Sequence, residues 1–209
     1  DDIMSYDDNK GDGDMSWGYS FPAEMIGDSI ICNGILFKTG NKAEREMNAV
    51  ICDGQTVTLP GGDFNKLYIL AAATDNTKGD FAVDGKVTTL PVQRWTGYIG
   101  QFYNRQFTAD SKEVTSIDNA WVRKDNIAWF ASHRHRSYPL GNDAYQYSYL
   151  YCYEINLTGK AASLQLPANK KIKIVAMTVA KSNNDDIKPL QPLYDDFAGN
   201  PPLILRNNR

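Results

Sequence analysis

The sequence is poor in the residues that build metal and nucleophile sites. It contains two histidines, His133 and His135, and three cysteines, Cys32, Cys52 and Cys152. Three cysteines at such distant positions are too few for a disulfide framework, and their spacing matches no metal-binding motif. We therefore expect three buried thiols, with one disulfide and a spare thiol as the alternative if the protein is exported.

The chain also lacks the motifs that accompany the common catalytic machineries. It has no G-x-S-x-G turn, no P-loop and no G-x-G-x-x-G, so serine nucleophiles, phosphate transfer and dinucleotide binding have no support. Its 25 acidic residues are uninformative, because among so many some pair always lies at the separation that glycoside hydrolysis needs. The sequence predicts no catalytic set, no cofactor and no metal in this chain, and leaves open whether the parent protein is an enzyme.

Charge and hydropathy argue against two further classes of partner. The net charge is −3 and no block of Lys and Arg occurs, which disfavours nucleic acid and a polybasic membrane contact. No apolar run approaches the roughly 20 residues that span a bilayer. Because the chain starts at Asp1 rather than at Met, we expect a processed protein or a fragment of a longer one.

Short apolar runs separated by turn residues fill most of the chain. Asn33-Gly34 and Asp84-Gly85 each lie between two such runs and accept the positive φ angles of a two-residue type I′ turn, which predicts two β-hairpins. The segment Tyr145–Leu157 places five tyrosines on one strand face. Helical periodicity is weak, apart from one turn near residues 42–47. The pattern predicts an all-β fold, an antiparallel β-sandwich of jelly-roll or galactose-binding-like type with few or no helices.

Changes in composition along the chain also predict its domain organisation. Residues 1–20, rich in Asp and Gly, are expected to form an extended entry segment, residues 21–182 the sandwich, and the Pro-rich residues 183–209 an extended strap. Leu59-Pro60 and Leu166-Pro167 lie in two similar stretches, each a strand, the Leu-Pro pair, a turn and an apolar strand. We expect two similar hairpins, since Pro ends a strand ladder and the next strand returns beside it. The predicted hairpins are 29–38 and 81–90, and the further predicted strands are 55–59, 66–73, 97–102, 127–132, 145–157, 162–166 and 171–180.

Two groups of residues are candidates for ligand contact. Between residues 94 and 129, aromatic rings near turns are interleaved with planar polar side chains, a mixture that suits sugars because their C–H faces stack on rings. Core packing of the tryptophans is the competing interpretation. His133 and His135 are two apart, so on a strand both imidazoles face one side; a structural or interface role is favoured over sugar contact or a metal, whose third ligand the sequence does not identify. The carbohydrate or domain-interface candidates are Trp95, Tyr98, Arg105, Trp129, His133, Arg134 and His135.

Seven stretches carry a more specific signal. They are FPAEMI (21–26), NAVICDGQTVTLPGGDFNKLYILAAA (48–73), RWTGYIGQFYNR (94–105), AWFASHRH (128–135), YQYSYLYCYEINL (145–157), LQLPANKKIKIVAMTVA (164–180) and PLYD (192–195). In this order they resemble the C-terminal region of bacterial α-mannosidases of glycoside hydrolase family 38. Each motif is short, but together they extend over most of the chain.

The resemblance implies an accessory β-sandwich beyond the catalytic domain of an enzyme that trims α-mannosides from glycans, in the periplasm or outside the cell. In that family the zinc site and the nucleophilic Asp belong to a separate upstream domain. Nothing here corresponds to it, so no catalytic residue carries over. The implied partners are that catalytic domain and a mannoside. A stand-alone carbohydrate-binding module and a structural or oligomerisation domain are the alternatives.

Overall fold

A computed structural model describes residues 1–97, 100–101, 104–118, 121–122, 126–158 and 160–182. The predicted strap at 183–209 lies outside these residues. The described residues fall into two compact units, a large one of residues 1–97 and 126–182 and a small one within residues 98–125.

The large unit consists of strands and one 3-10 helix, Ala23–Met25. Its strands are β1 (Met4–Ser5), β2 (Tyr19–Pro22), β3 (Ser29–Cys32), β4 (Ile35–Lys38), β5 (Val50–Ile51), β6 (Thr56–Thr58), β7 (Lys66–Ala73), β8 (Thr77–Val83), β9 (Lys86–Val92) and β10 (Thr96–Gly97). In the small unit, β11 (Gly100–Gln101), β12 (Asn104–Phe107), β13 (Val114–Asp118) and β14 (Trp121–Val122) follow. The chain then returns to the large unit with β15 (Ile127–Ser137), β16 (Leu140–Asn156), β17 (Ser163–Gln165) and β18 (Ile172–Ala180).

Two sheets make up the sandwich of the large unit. The main sheet has the order β1-β2-β15-β16-β7-β18-β5, with β10 also paired to β16, and the second sheet has the order β6-β17-β8-β9. The pairs are antiparallel, except that β1 runs parallel to β2. The prediction of an all-β antiparallel fold is confirmed, and the described part of the chain contains no α-helix. None of its helices is long and apolar enough to cross a membrane.

The hydrophobic core lies between these two sheets. All eight residues of β7 are buried, so this central strand is covered on both faces. Burying a side chain of Leu or Ile size contributes about 1.5–3 kcal/mol, which makes this contact the main source of stability of the unit. The facing side chains are Leu67, Ile69, Ala71, Ile155, Ile172 and Ile174 from the main sheet, and Phe81, Val83, Val92 and Leu164 from the second.

Both predicted type I′ turns are present. Asn33 and Gly34 have φ angles of 50° and 81° between β3 and β4, and Asp84 and Gly85 have 45° and 84° between β8 and β9. The Asp84 carboxylate also accepts hydrogen bonds from two backbone N–H groups and a hydroxyl at residues 162–163, at 2.9–3.0 Å. These hydrogen bonds hold the pKa of Asp84 below its ordinary value.

The two Leu-Pro stretches do not form the hairpins that we expected. β6 and β7 lie in different sheets, and so do β17 and β18. The equivalent strands of the two stretches pair with each other instead, β6 with β17 and β7 with β18. The proline therefore marks the point where the chain crosses from the second sheet to the main sheet. Local sequence cannot distinguish this crossing from a hairpin, since Pro ends a strand ladder in both.

The tyrosines of β16 form a ladder of rings. Neighbouring rings of Tyr147, Tyr149, Tyr151 and Tyr153 have centroids 6.0–6.4 Å apart, and those of Tyr149 and Tyr151 are fully buried. Tyr145, the fifth residue of the predicted row, is 72% exposed and has a φ of 63°. A bulge next to it shifts the register from β15 to β16, which removes Tyr145 from the alternation.

A buried ion pair attaches the start of β7 to the end of β16. The Lys66 side chain is 4% exposed, and its ammonium binds the carboxylate of Glu154 and the amide oxygen of Asn156, the latter at 2.6 Å. Lys66 and Asn156 are directly opposite each other in the sheet. The register of β7 on β16 therefore places the partners of the Lys66 ammonium beside it.

All three cysteines are buried free thiols, as expected. Burial raises the pKa of Cys52 to about 12. The Cys32 and Cys152 thiols are hydrogen-bonded to each other, which lowers the pKa of Cys32 and raises that of Cys152.

The N-terminal segment belongs to the sandwich. Ile3, Met4 and Met15 are at most 1% exposed, and β1 extends the edge of the main sheet. The Asp- and Gly-rich composition of the segment does not predict that it packs into the sandwich, because its buried residues are widely spaced along the chain.

Within its described residues, the small unit contains two antiparallel pairs of strands. β11 pairs with β14, and β12 pairs with β13. Of the predicted candidates, Tyr98 lies outside the described residues, and Arg105 is described through its backbone, opposite Ile117.

Candidate functional site

Trp95 is a core residue rather than an exposed platform. Its side chain is fully buried, its ring meets the edge of Phe21 at 4.9 Å, and its indole N–H donates a 2.9 Å hydrogen bond to Ser16 Oγ. A sugar would need access to a ring face, and Trp95 presents none. For Trp95, the structure therefore agrees with the interpretation as a core residue.

Trp129 is half-buried and holds a backbone turn. Its indole N–H donates to the carbonyl oxygen of Met25 at 3.1 Å, and its ring lies 5.9 Å from that of Phe21. Met25 ends the 3-10 helix that follows β2. Trp129 on β15 therefore fixes this helix, and with it Glu24, against the main sheet.

Arg134 makes a cross-strand ion pair. Its Nε and Nη2 atoms donate to Asp143 Oδ2 at 2.9 and 2.7 Å, and the two residues are opposite each other in β15 and β16. The guanidinium also lies 3.7 Å from the ring centroid of Tyr19, within the range of a cation–π contact. As the residue between His133 and His135, Arg134 points to the other face of the strand.

His133 and His135 meet the carboxylate of Glu24. Glu24 Oε1 lies 3.1 Å from His135 Nε2 and 3.5 Å from His133 Nε2. The three ligand atoms all lie within 4.8 Å of one another, and the imidazole centroids are 5.4 Å apart. We call these three residues the histidine site. The expectation that both imidazoles face one side of a strand holds in the structure.

Burial differs across the histidine site. The side chain of His135 is fully buried, that of His133 is 16% exposed and that of Glu24 is 32% exposed. The site is therefore anchored inside the sheet and opens to the surface at Glu24. Among the described residues, His133 Nε2 is one of the few buried side-chain atoms that make no hydrogen bond.

A pair of serines holds the other side of His135. His135 Nδ1 is 2.9 Å from Ser5 Oγ, which is in turn 2.6 Å from Ser20 Oγ, and both serines are buried. β2 places Ser20 directly opposite His135, and β1 supplies Ser5. These hydrogen bonds fix the orientation of the ring and turn Nε2 toward Glu24.

Burial favours the neutral form of His135. Burial lowers the pKa of His135 most; Glu24 raises it, while His133 and Lys10 lower it further. Asp7 Oδ1 lies 3.8 Å from His135 Nε2, but Lys10 pairs with this carboxylate at 2.6 Å and thereby lowers its pKa. A neutral imidazole has one ring nitrogen with a free lone pair, so it can accept a hydrogen bond or bind a metal ion.

Sequence reasoning missed Glu24. This residue is 111 positions away from His135, and only the pairing of β2 with β15 brings the two together. The sequence did offer one signal, because Glu24 and the histidines belong to two of the seven stretches, FPAEMI and AWFASHRH. Spacing along the chain could not have selected it from 25 acidic residues.

Comparison with known proteins identifies a family for nearly the whole chain. A family model described as an AziU2-like beta-sandwich domain matches residues 1–183. A leucine–tRNA ligase from Methanothrix thermoacetophila is 29% identical over 103 residues, which is 49% of this chain and 11% of that protein. The chain thus covers about a tenth of the length of this curated relative. The predicted β-sandwich is confirmed, and the narrower resemblance to α-mannosidases stays a prediction. The chain belongs to the AziU2-like β-sandwich domain family.

Proposed function

We propose that this chain is an accessory β-sandwich domain of an α-mannosidase-like glycoside hydrolase involved in glycan degradation, in the periplasm or outside the cell. In this proposal the histidine site contributes to the surface that meets the catalytic partner. The observation that carries the proposal is the meeting of FPAEMI and AWFASHRH, two of the stretches that resemble mannosidase C-terminal regions.

These two stretches form one local structure. Glu24 comes from the first, His133 and His135 from the second, and the Trp129 N–H of the second binds the Met25 carbonyl of the first. Core packing would account for apolar residues in such motifs, but it does not account for a partly exposed carboxylate in contact with two imidazoles. Polar groups held on a rigid sheet are suited to contact with a ligand or a partner.

The gene context and a mannosidase assay test the proposal. We expect the reading frame upstream of Asp1 to encode a glycoside hydrolase domain. Adding this chain to that domain should raise its thermal stability or its turnover of 4-nitrophenyl α-mannoside, whereas the chain alone should hydrolyse none. The Glu24→Gln variant should weaken the effect, and Glu44→Gln, which changes an exposed carboxylate of the same unit, should not. An upstream frame without a hydrolase, or hydrolysis by the chain alone, would refute the proposal.

A stand-alone carbohydrate-binding module is the second candidate, and exposed aromatic rings favour it. Trp17 is 66% exposed and Tyr138 is 90% exposed. The turns that carry them are adjacent, because Ser137 N–H donates to the Gly18 carbonyl oxygen at 2.8 Å. Rings on adjacent turns are suitable for stacking on a sugar.

Tryptophan fluorescence can test this second candidate. Mannose, mannobiose and an unrelated oligosaccharide are titrated into the wild type and the Trp17→Ala variant. A binding module predicts a saturable change with a mannoside that is lost in the variant. No change with any sugar up to high concentration would eliminate it.

A further inference from the structure

We infer that Glu24, His133 and His135 form a binding site for a divalent transition-metal ion, with zinc as the best fit and one coordination position open to solvent. This inference rests on the proposed function, in which the histidine site makes a functional contact, and it adds that the ligand of the site is a metal ion. The sequence alone predicts no metal, since two histidines without a third ligand do not make a site. Glu24 supplies that ligand.

The two distances between the carboxylate and the imidazoles match the needs of a small tetrahedral ion. Zinc binds imidazole nitrogen and carboxylate oxygen at about 2.0–2.2 Å, which places neighbouring ligand atoms about 3.3–3.5 Å apart in a tetrahedron. Glu24 Oε1 is 3.1 and 3.5 Å from the two Nε2 atoms, and the three atoms lie within 4.8 Å of one another. Small side-chain rotations would therefore bring all three onto one ion.

The hydrogen bonds around the two imidazoles point to the same conclusion. His133 Nε2 is buried and, within the described residues, makes no hydrogen bond, although it faces a carboxylate. Ser5 is within hydrogen-bond distance of His135 Nδ1. Metal-binding histidines characteristically use their second ring nitrogen in this way, which fixes the tautomer whose other nitrogen binds the ion.

Besides these small rotations, loading the ion requires a change of tautomer at His135. Without metal, the Nε2–H group can donate to Glu24 Oε1. When the ion binds Nε2, the ring proton is on Nδ1 and is hydrogen-bonded to Ser5 Oγ, whose own O–H then donates a hydrogen bond to Ser20 Oγ. The neutral ring keeps one proton throughout, so this step needs no other reactant.

Charge and ligand type select the class of ion. The carboxylates of Glu24 and Asp7 outweigh the single ammonium of Lys10 around the two imidazoles, so the site attracts a cation. Imidazole nitrogen suits zinc, copper, iron and nickel, whereas magnesium and calcium prefer oxygen alone. Asp7 is ion-paired with Lys10 and is not one of the three grouped ligands, so the fourth position is open to water. Three protein ligands and one open position are typical of zinc sites that are not purely structural.

Metal titration of the full chain tests the inference. After treatment with chelator, we expect Zn²⁺ to bind with a stoichiometry of one per chain in calorimetry and to raise the melting temperature. Co²⁺ should give the visible absorption bands of a four- or five-coordinate site, and Mg²⁺ should give neither signal. Glu24→Gln and His133→Gln should each weaken Zn²⁺ binding at least 10–100-fold, about the effect of losing an outer-shell partner. The control Glu44→Gln should bind as the wild type does.

Three results decide between the metal and the proposed function. Zn²⁺ affinity that is equal in the wild type, Glu24→Gln and His133→Gln, or no binding in the wild type, would overturn the metal inference. Circular dichroism of each metal-free variant establishes that it is folded, since both substituted side chains are partly exposed. If Zn²⁺ does not bind but the chain still assists an upstream mannosidase, the accessory role stands without the metal. If Zn²⁺ binds and no hydrolase is encoded upstream, the metal site stands without the accessory role.

Discussion

Replacing Trp95 with alanine tests whether this residue supports the fold or a ligand. Its side chain is fully buried against Phe21, and its N–H is bonded to Ser16. Truncating a buried Trp to Ala costs about 3–5 kcal/mol of unfolding free energy. At about 2–4 °C per kcal/mol for a chain of this size, the melting temperature should fall by roughly 6–20 °C.

Two further variants separate the contribution of the Trp95 ring to stability from that of its hydrogen bond and from that of an exposed tryptophan. Trp95→Phe keeps a ring beside Phe21 but loses the hydrogen bond to Ser16, and should cost about 1–2 kcal/mol. Trp17→Ala changes an exposed ring and should remain within about 0.5 kcal/mol of the wild type. Urea unfolding followed by far-ultraviolet circular dichroism measures all three. The reasoning would be refuted if Trp95→Ala unfolded like the wild type and lost binding to a mannoside.

Three other predictions concern the buried and titratable groups of the large unit. Lys66→Met leaves Glu154 without its ion partner and should destabilise the chain by about 3–5 kcal/mol in urea unfolding, while adding Glu154→Leu should recover part of the loss; an equal loss in both variants would contradict this. Because hydrogen bonds hold the folded-state pKa of Asp84 below its unfolded value, its stabilisation is present above about pH 4 and is lost as the pH falls through the folded value. Asp84→Asn should therefore melt below the wild type at pH 7, with a difference that shrinks under acid, and a difference independent of pH would contradict the assignment. The three thiols are buried, so an aromatic disulfide reagent should modify none in the native protein and all three after unfolding; rapid reaction of one native thiol would show that it is accessible.

Local patterns predicted the parts of the fold that short-range physics decides. Asn33-Gly34 and Asp84-Gly85 form the expected turns because only a few residue types tolerate the positive φ angles that a type I′ turn requires. The tyrosine ladder of β16 follows from strand alternation and ends where the bulge near Tyr145 interrupts it. These features depend on neighbours within a few residues, so one sequence is sufficient to find them.

Features that depend on distant pairing were not predictable from the sequence. The Leu-Pro stretches resemble hairpins locally, yet the partners of β7 are the distant strands β16 and β18 rather than β6. Trp95 lies among polar residues that suggest a surface, but its neighbours in space are Phe21 and Ser16. Glu24, the third member of the histidine site, also depends on distant pairing, because β2 must pair with β15 before Glu24 can reach His135.

The register of β2 on β15 links the fold to the chemistry of the site. β2 contributes Ser20 toward His135 on one face and Tyr19 toward Arg134 on the other. A slip of one residue would exchange these faces, because side chains alternate along a strand. Two register pairs hold β2 on β15, and β1 closes the edge of the sheet beside them. An ion at the histidine site would connect the 3-10 helix to β15 and, through Ser5, to β1. Its binding would therefore stabilise this edge of the main sheet more than the centre at β7, which the hydrophobic core already secures on both faces.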